Sequence, residues 1–106
     1  MRSGALELLR DVKDLQAEAY VLSSLAESHL GLGHHPSALS CLKRSLRLRR
    51  KVGDKEGEVG VLYDLAKVYE DMGDKDHARK ARDEAASKEG TSGEAREAIS
   101  TLKRRN

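Results

Sequence analysis

The chain matches itself at an offset of 40 residues, and this period constrains its fold more than any other feature. A unit too short to bury its own apolar face must bury it against a copy of itself. Val21, Leu22, Leu25, Ala26, Gly33 and Ala38 recur as Val61, Leu62, Leu65, Ala66, Gly73 and Ala78, while Asp14 and Glu18 recur as Asp54 and Glu58. The match also runs backwards, because Leu6, Leu8, Arg10 and Val12 precede Asp14 as Leu46, Leu48, Arg50 and Val52 precede Asp54. The sequence therefore reads as opening inside a repeat: residues 1–13 as the second helix of an incomplete unit, 14–53 and 54–90 as two units, and 91–106 as a remainder.

Within each unit the apolar residues have helical spacing. Leu22, Leu25, Ala26 and His29 lie on one face in the first, as do Leu62, Leu65, Ala66, Tyr69 and Met72 in the second. Each of these helices ends at a glycine, Gly33 or Gly73, a residue free to turn left-handed just past a helix end. Pro36 suits the first turn of a following helix, whose inner face carries Ala38, Leu39, Leu42, Ser45 and Leu46. The counterpart after Asp74 offers Ala78, Ala81, Ala85 and Ala86, with Arg82 in place of Leu42, and is predicted to pack thinly. After Lys88 the stretch EGTSGE interrupts the pattern. Thr91 and Glu94 are spaced as a capping box for a last helix, Ala95 to Arg104. Breaks are thus expected near Lys13-Asp14, Gly33-His34, Gly53-Asp54 and Gly73-Asp74, in an all-α chain of antiparallel hairpins.

Composition agrees with close helix packing. Among 106 residues there is no Phe or Trp, so the core must come from Leu, Val and Ala. One cysteine, Cys41, excludes an intramolecular disulfide and a cysteine-based metal cluster. No apolar run approaches the roughly 20 residues of a membrane span, and the N-terminus lacks the apolar centre of a signal peptide. The sequence therefore reads as cytoplasmic, without membrane insertion. A net charge of +2 gives no bulk attraction to nucleic acid.

The hairpin pattern resembles the tetratricopeptide repeat over residues 5 to about 89. Leu22, Leu25, Ala26 and His29 answer to that family's first-helix pattern, and so do Leu62, Leu65, Ala66 and Tyr69. On the second helices Ala38, Leu42 and Ser45 match its Ala, aromatic and Ala sites; Ala78 and Ala85 match, while Arg82 departs. The period of 40 is longer than the family's usual 34, and is similar to the longer-repeat subgroup typified by LGN/Pins scaffolds. The resemblance implies a right-handed α-solenoid segment whose first helices line a concave surface. Those relatives set asparagines on the groove side, where this chain has Ser24, Glu27, Asp64 and Lys67.

Outward positions on the first helices are then the natural contact residues. On the first hairpin these are Tyr20, Ser23, Ser24 and Glu27; on the second, Tyr63, Asp64, Lys67, Glu70 and Asp71. Tyrosines among charges offer contact area and a hydroxyl at low entropy cost. The plain alternative is a solvated helix face.

Other constellations carry less. Lys43, Arg44, Arg47, Arg49, Arg50 and Lys51 form a dense basic stretch, but on a second helix and without aromatic stacking platforms, so it reads as a solvated convex face rather than a nucleic-acid site. His29, His34, His35 and His77 lack the carboxylate or thiol that would complete a metal shell. Cys41 reads as a small hydrophobe. No glycine-rich phosphate loop is present, and nothing marks an apolar pocket that would activate a carboxyl group. The sequence therefore points to a protein-interaction module with no catalysis and no cofactor, taking a peptide or helix of a partner protein on its concave face. A structural end segment of a longer array, with residues 91–106 as its cap, is the alternative. The leucines Leu6, Leu8 and Leu9 at the open first end predict weak self-association.

Overall fold

The computed structural model describes residues 10–92, with side chains as far as Glu89. Four helices follow one another: α1 (Val12–Gly31), α2 (His35–Val52), α3 (Lys55–Asp71) and α4 (Lys75–Ser92). Each packs on the next, α1 on α2, α2 on α3 and α3 on α4, and no strand occurs among the described residues. This is the expected all-α stack of hairpins.

The three connections share one chemistry. Gly33, Gly53 and Gly73 have φ between 75° and 82°, the region where a side chain is strained. Past each glycine an amide reaches back to close the helix end: His34 N–H to His29 O at 2.8 Å, Asp54 to Arg49 at 2.9 Å and Asp74 to Tyr69 at 2.8 Å. Two of the next helices are then opened by aspartates. Asp54 accepts the Gly57 N–H at 2.9 Å, and Asp74 accepts that of His77 at 3.1 Å.

The expected break at Lys13-Asp14 is displaced. Asp11 is the residue in extended conformation, and it accepts the Asp14 N–H at 2.9 Å, so Lys13 and Asp14 fall in the first turn of α1. The helix accordingly begins three positions ahead of its counterpart in the second unit, because a second aspartate lies within capping reach. At the other end α4 runs on through Ser92, and Thr91 lies inside it rather than capping a new helix. The expected helix from Ala95 to Arg104, and Leu6, Leu8 and Leu9, lie outside the described residues.

The core is built from α2 and α3, each covered on both sides. Leu42 and Leu46 meet Val61, Leu62, Leu65, Ala66 and Val68, with Ala26 from α1 and Ala81 and Ala85 from α4. Ser45 is fully buried where a bulkier residue would separate α1 from α2. Its hydroxyl donates to the Ala19 carbonyl at 2.9 Å and lies 3.1 Å from the Ser23 hydroxyl, satisfying the group in the interior. Cys41 is half-buried against this core. On α4, Ala78, Ala81 and Ala85 are buried, but Ala86, read from sequence as an inner-face residue, is exposed, and Arg82 points to the rim, where it pairs with Glu70.

The repeat is visible in an ion pair. Arg10 meets Glu18 in the first unit, as Arg50 meets the buried Glu58 at 2.7 Å in the second. At the third position of each group the charge is opposite. Arg44 on α2 joins Glu18 at 2.9 Å, whereas its counterpart Glu84 on α4 joins Arg50. Lys88 adds a further contact to Glu58 at 3.2 Å.

Candidate functional site

α1 and α3, the first helices of the two hairpins, stand side by side with a cleft of about 340 Å³ between them. Ala26 and Leu42, both buried, form its floor with half-buried Leu30. Ser23, Glu27 and Gly31 stand on the α1 wall; Asp64, Lys67 and Asp71 stand on the α3 wall.

The cleft therefore collects five of the nine outward residues singled out from sequence: Ser23, Glu27, Asp64, Lys67 and Asp71. The other four lie elsewhere. Tyr20 is 69% exposed outside the cleft, and Ser24 is exposed beside it. Tyr63 donates its hydroxyl hydrogen bond to Glu89 on α4 at 2.8 Å, and Glu70 pairs with Arg82 on the same helix. The division follows from how hairpins stack. Each first helix has two flanks, one toward the unit before it and one toward the unit after. Ser23 and Glu27 lie on the forward flank of α1, and Asp64, Lys67 and Asp71 on the backward flank of α3. Tyr63, forty residues on from Ser23, is on the forward flank of α3, turned away from the cleft.

Of the floor residues, Ala26 and Leu42 were read from sequence as inner-face residues, and Leu30 was not singled out. The signal that could have found them is the repeat itself: a residue at the edge of a buried stripe, such as Leu30, lines the gap between units when its forty-residue counterpart, Glu70, is polar.

The cleft is negative. Three carboxylates face one ammonium group, and among the described residues none of Glu27, Asp64, Lys67 or Asp71 makes an ion pair within 4.0 Å. Burial by the cleft walls, and then the charge of Glu27, raise the Asp64 carboxyl above its ordinary 3.8, against the opposing pull of Lys67 and Arg49. Arg49 acts only at a distance, since its guanidinium is held by Asp54 at 2.9 Å and Ser45 at 3.3 Å.

With that geometry in place, comparison with known families is decisive: the Tetratricopeptide repeat model matches residues 15–87. The chain belongs to the tetratricopeptide repeat family. Tetratricopeptide proteins are generally protein-interaction modules, and residues 15–87 span all of α3 and most of α1, so both walls of the cleft fall within the matched repeats. Comparison with curated proteins and with solved structures gave no match.

The tetratricopeptide hairpins account for the remaining candidates. Of the basic stretch on α2, Arg44, Arg49 and Arg50 are engaged in ion pairs, leaving Lys43, Arg47 and Lys51 as an exposed stripe at four-residue spacing. His29 lies 6.2 Å from His34 between ring centres, while His77 stacks on Tyr69 at 5.0 Å and bonds to Asp74 at 2.6 Å. Among the described residues no three His, Cys, Asp or Glu side chains are grouped so as to hold a metal ion, and no helix is long and apolar enough to cross a membrane.

Proposed function

We propose that the chain is a protein-interaction module that receives a segment of a partner protein in the cleft between α1 and α3. The observation that carries this reading is the convergence of Ser23, Glu27, Asp64, Lys67 and Asp71 over the apolar floor of Ala26, Leu30 and Leu42. A concave gap with an apolar base and a few directed polar groups is where a peptide gains area and orientation together. The 40-residue spacing supports placing the chain in the longer-repeat subgroup. A photocrosslinking amino acid tests the reading: at position 23 in the cleft it should give a discrete adduct with a partner in living cells, and at position 43 on α2 it should not. Adducts from position 43 alone would place the contact on the outer face.

One observation favours a second reading, in which the chain serves as a segment of a longer array. Val21 and Leu25 of α1 are 53% and 46% exposed, while their counterparts Val61 and Leu65, covered by α2, are 3% and 5% exposed. A helix equivalent to α2 would fit on this α1 face, contributed by a preceding repeat or by a second copy of the chain.

A further inference from the structure

We propose that the segment taken by the cleft presents a basic side chain, lysine or arginine, between Glu27 and Asp64, with an aliphatic residue beside it on the floor of Ala26, Leu30 and Leu42. The inference rests on the reading of this cleft as the binding site and adds the chemistry of the occupant.

Three observations lead to it. The lining carries Glu27, Asp64 and Asp71 against Lys67 alone, so a cationic group finds a favourable field and an acidic one is repelled. None of these carboxylates is neutralised from within the described protein, whereas Glu18, Asp54 and Glu58 at the helix joints all are. Arg49, whose charge also reaches Asp64, has its guanidinium engaged by Asp54 and Ser45.

A ligand that covers the cleft strips water from these carboxylates. Burying them unpaired is costly, and a donor-bearing cation offsets both the lost hydrogen bonds and the charge. A bare metal ion does not meet the need, since no ligating group of three exists among the described residues. Nucleic acid and anionic lipid bring charge of the wrong sign. The floor supplies the other half of the specificity: half-buried Leu30, above the buried Ala26 and Leu42, offers an apolar base that a purely hydrophilic basic segment would leave unused.

The test is selection of a randomised phage-displayed peptide library on the immobilised full-length chain, repeated on a Glu27→Gln, Asp64→Asn double variant and on Gly31→Trp. The double variant removes the like-charge repulsion between Glu27 and Asp64, so loss of folding is not expected from it. Gly31 lines the cleft and a Cβ there meets nothing within 4 Å, so an indole adds bulk at the cleft edge without crowding the core; circular dichroism checks both. The expected result is enrichment of peptides pairing Lys or Arg with an aliphatic residue, weakened about tenfold by the double variant and lost on Gly31→Trp. Acidic or uncharged peptides lost on Gly31→Trp would overturn the basic occupant and leave the cleft as the site. Peptides that survive Gly31→Trp, or no enrichment at all, would overturn both.

Discussion

Glu27 on α1 and Asp64 on α3 line the same cleft with like charge, and the field of Glu27 adds to burial in holding the Asp64 carboxyl above its ordinary range. Such a pair is a cost to the free protein. A raised carboxyl pKa means that the folded chain holds the proton more tightly than the unfolded one. Its stability contribution is therefore fullest below 3.8 and declines as pH rises through the folded value.

Asp64→Asn should accordingly stabilise the free protein at neutral pH by about 0.3 kcal/mol, the scale of an exposed like-charge pair. The gain over wild type should shrink as the solution is acidified toward 3.8. Urea titrations at neutral and acidic pH measure both; a neutral-pH loss of stability would mean that Asp64 supports the fold.

Glu58 has the opposite sign. Burial pushes its carboxyl up, but hydrogen bonds from Arg50 and Lys88 outweigh this and hold it below 4.5. Its contribution is complete above 4.5 and is lost as pH falls through the depressed value. Glu58→Gln, which leaves Arg50 and Lys88 without their shared carboxylate, should cost about 2 kcal/mol at neutral pH. It should also flatten the acid side of the stability profile, as followed by helicity against denaturant.

The same truncation should have unequal effects in the two units. Leu65→Ala removes a nearly buried side chain from between α2 and α3 and should cost about 3 kcal/mol. Leu25→Ala, at the matching position but 46% exposed, should cost about 1 kcal/mol. Paired denaturation curves compare them directly; equal losses would mean that the α1 face is covered in solution.

Gly53→Ala tests the turns. Nothing lies within 4 Å of the added Cβ, so the expected cost of about 1 kcal/mol is the left-handed backbone alone, and the midpoint of thermal unfolding reports it.

Much of the architecture was legible because the constraint was repeated. Two copies of one apolar pattern fix helix faces, and a glycine at each junction fixes where the faces end. The start of α1 was misread because two aspartates, Asp11 and Asp14, lie within reach of the same turn, and only the backbone decides which one caps it. The end of α4 was misread because Gly90, Thr91 and Ser92 are poor helix formers locally, yet the helix continues through them. For the cleft, periodicity identifies which residues leave the core but not the flank on which each emerges. That is why Tyr63 and Asp64, adjacent in sequence, part company: one bonds to α4 and the other lines the cleft.

The paired Arg10–Glu18 and Arg50–Glu58 contacts have a consequence for how the sequence can drift. Each joint presents a cation and an anion side by side, so a third residue of either sign finds a mate: Arg44 takes the glutamate, and Glu84 takes the arginine. Charge reversal, ordinarily among the harsher substitutions at a helix junction, is absorbed by a change of partner. The two second helices have diverged at this place to opposite charges while remaining fastened to the same spot.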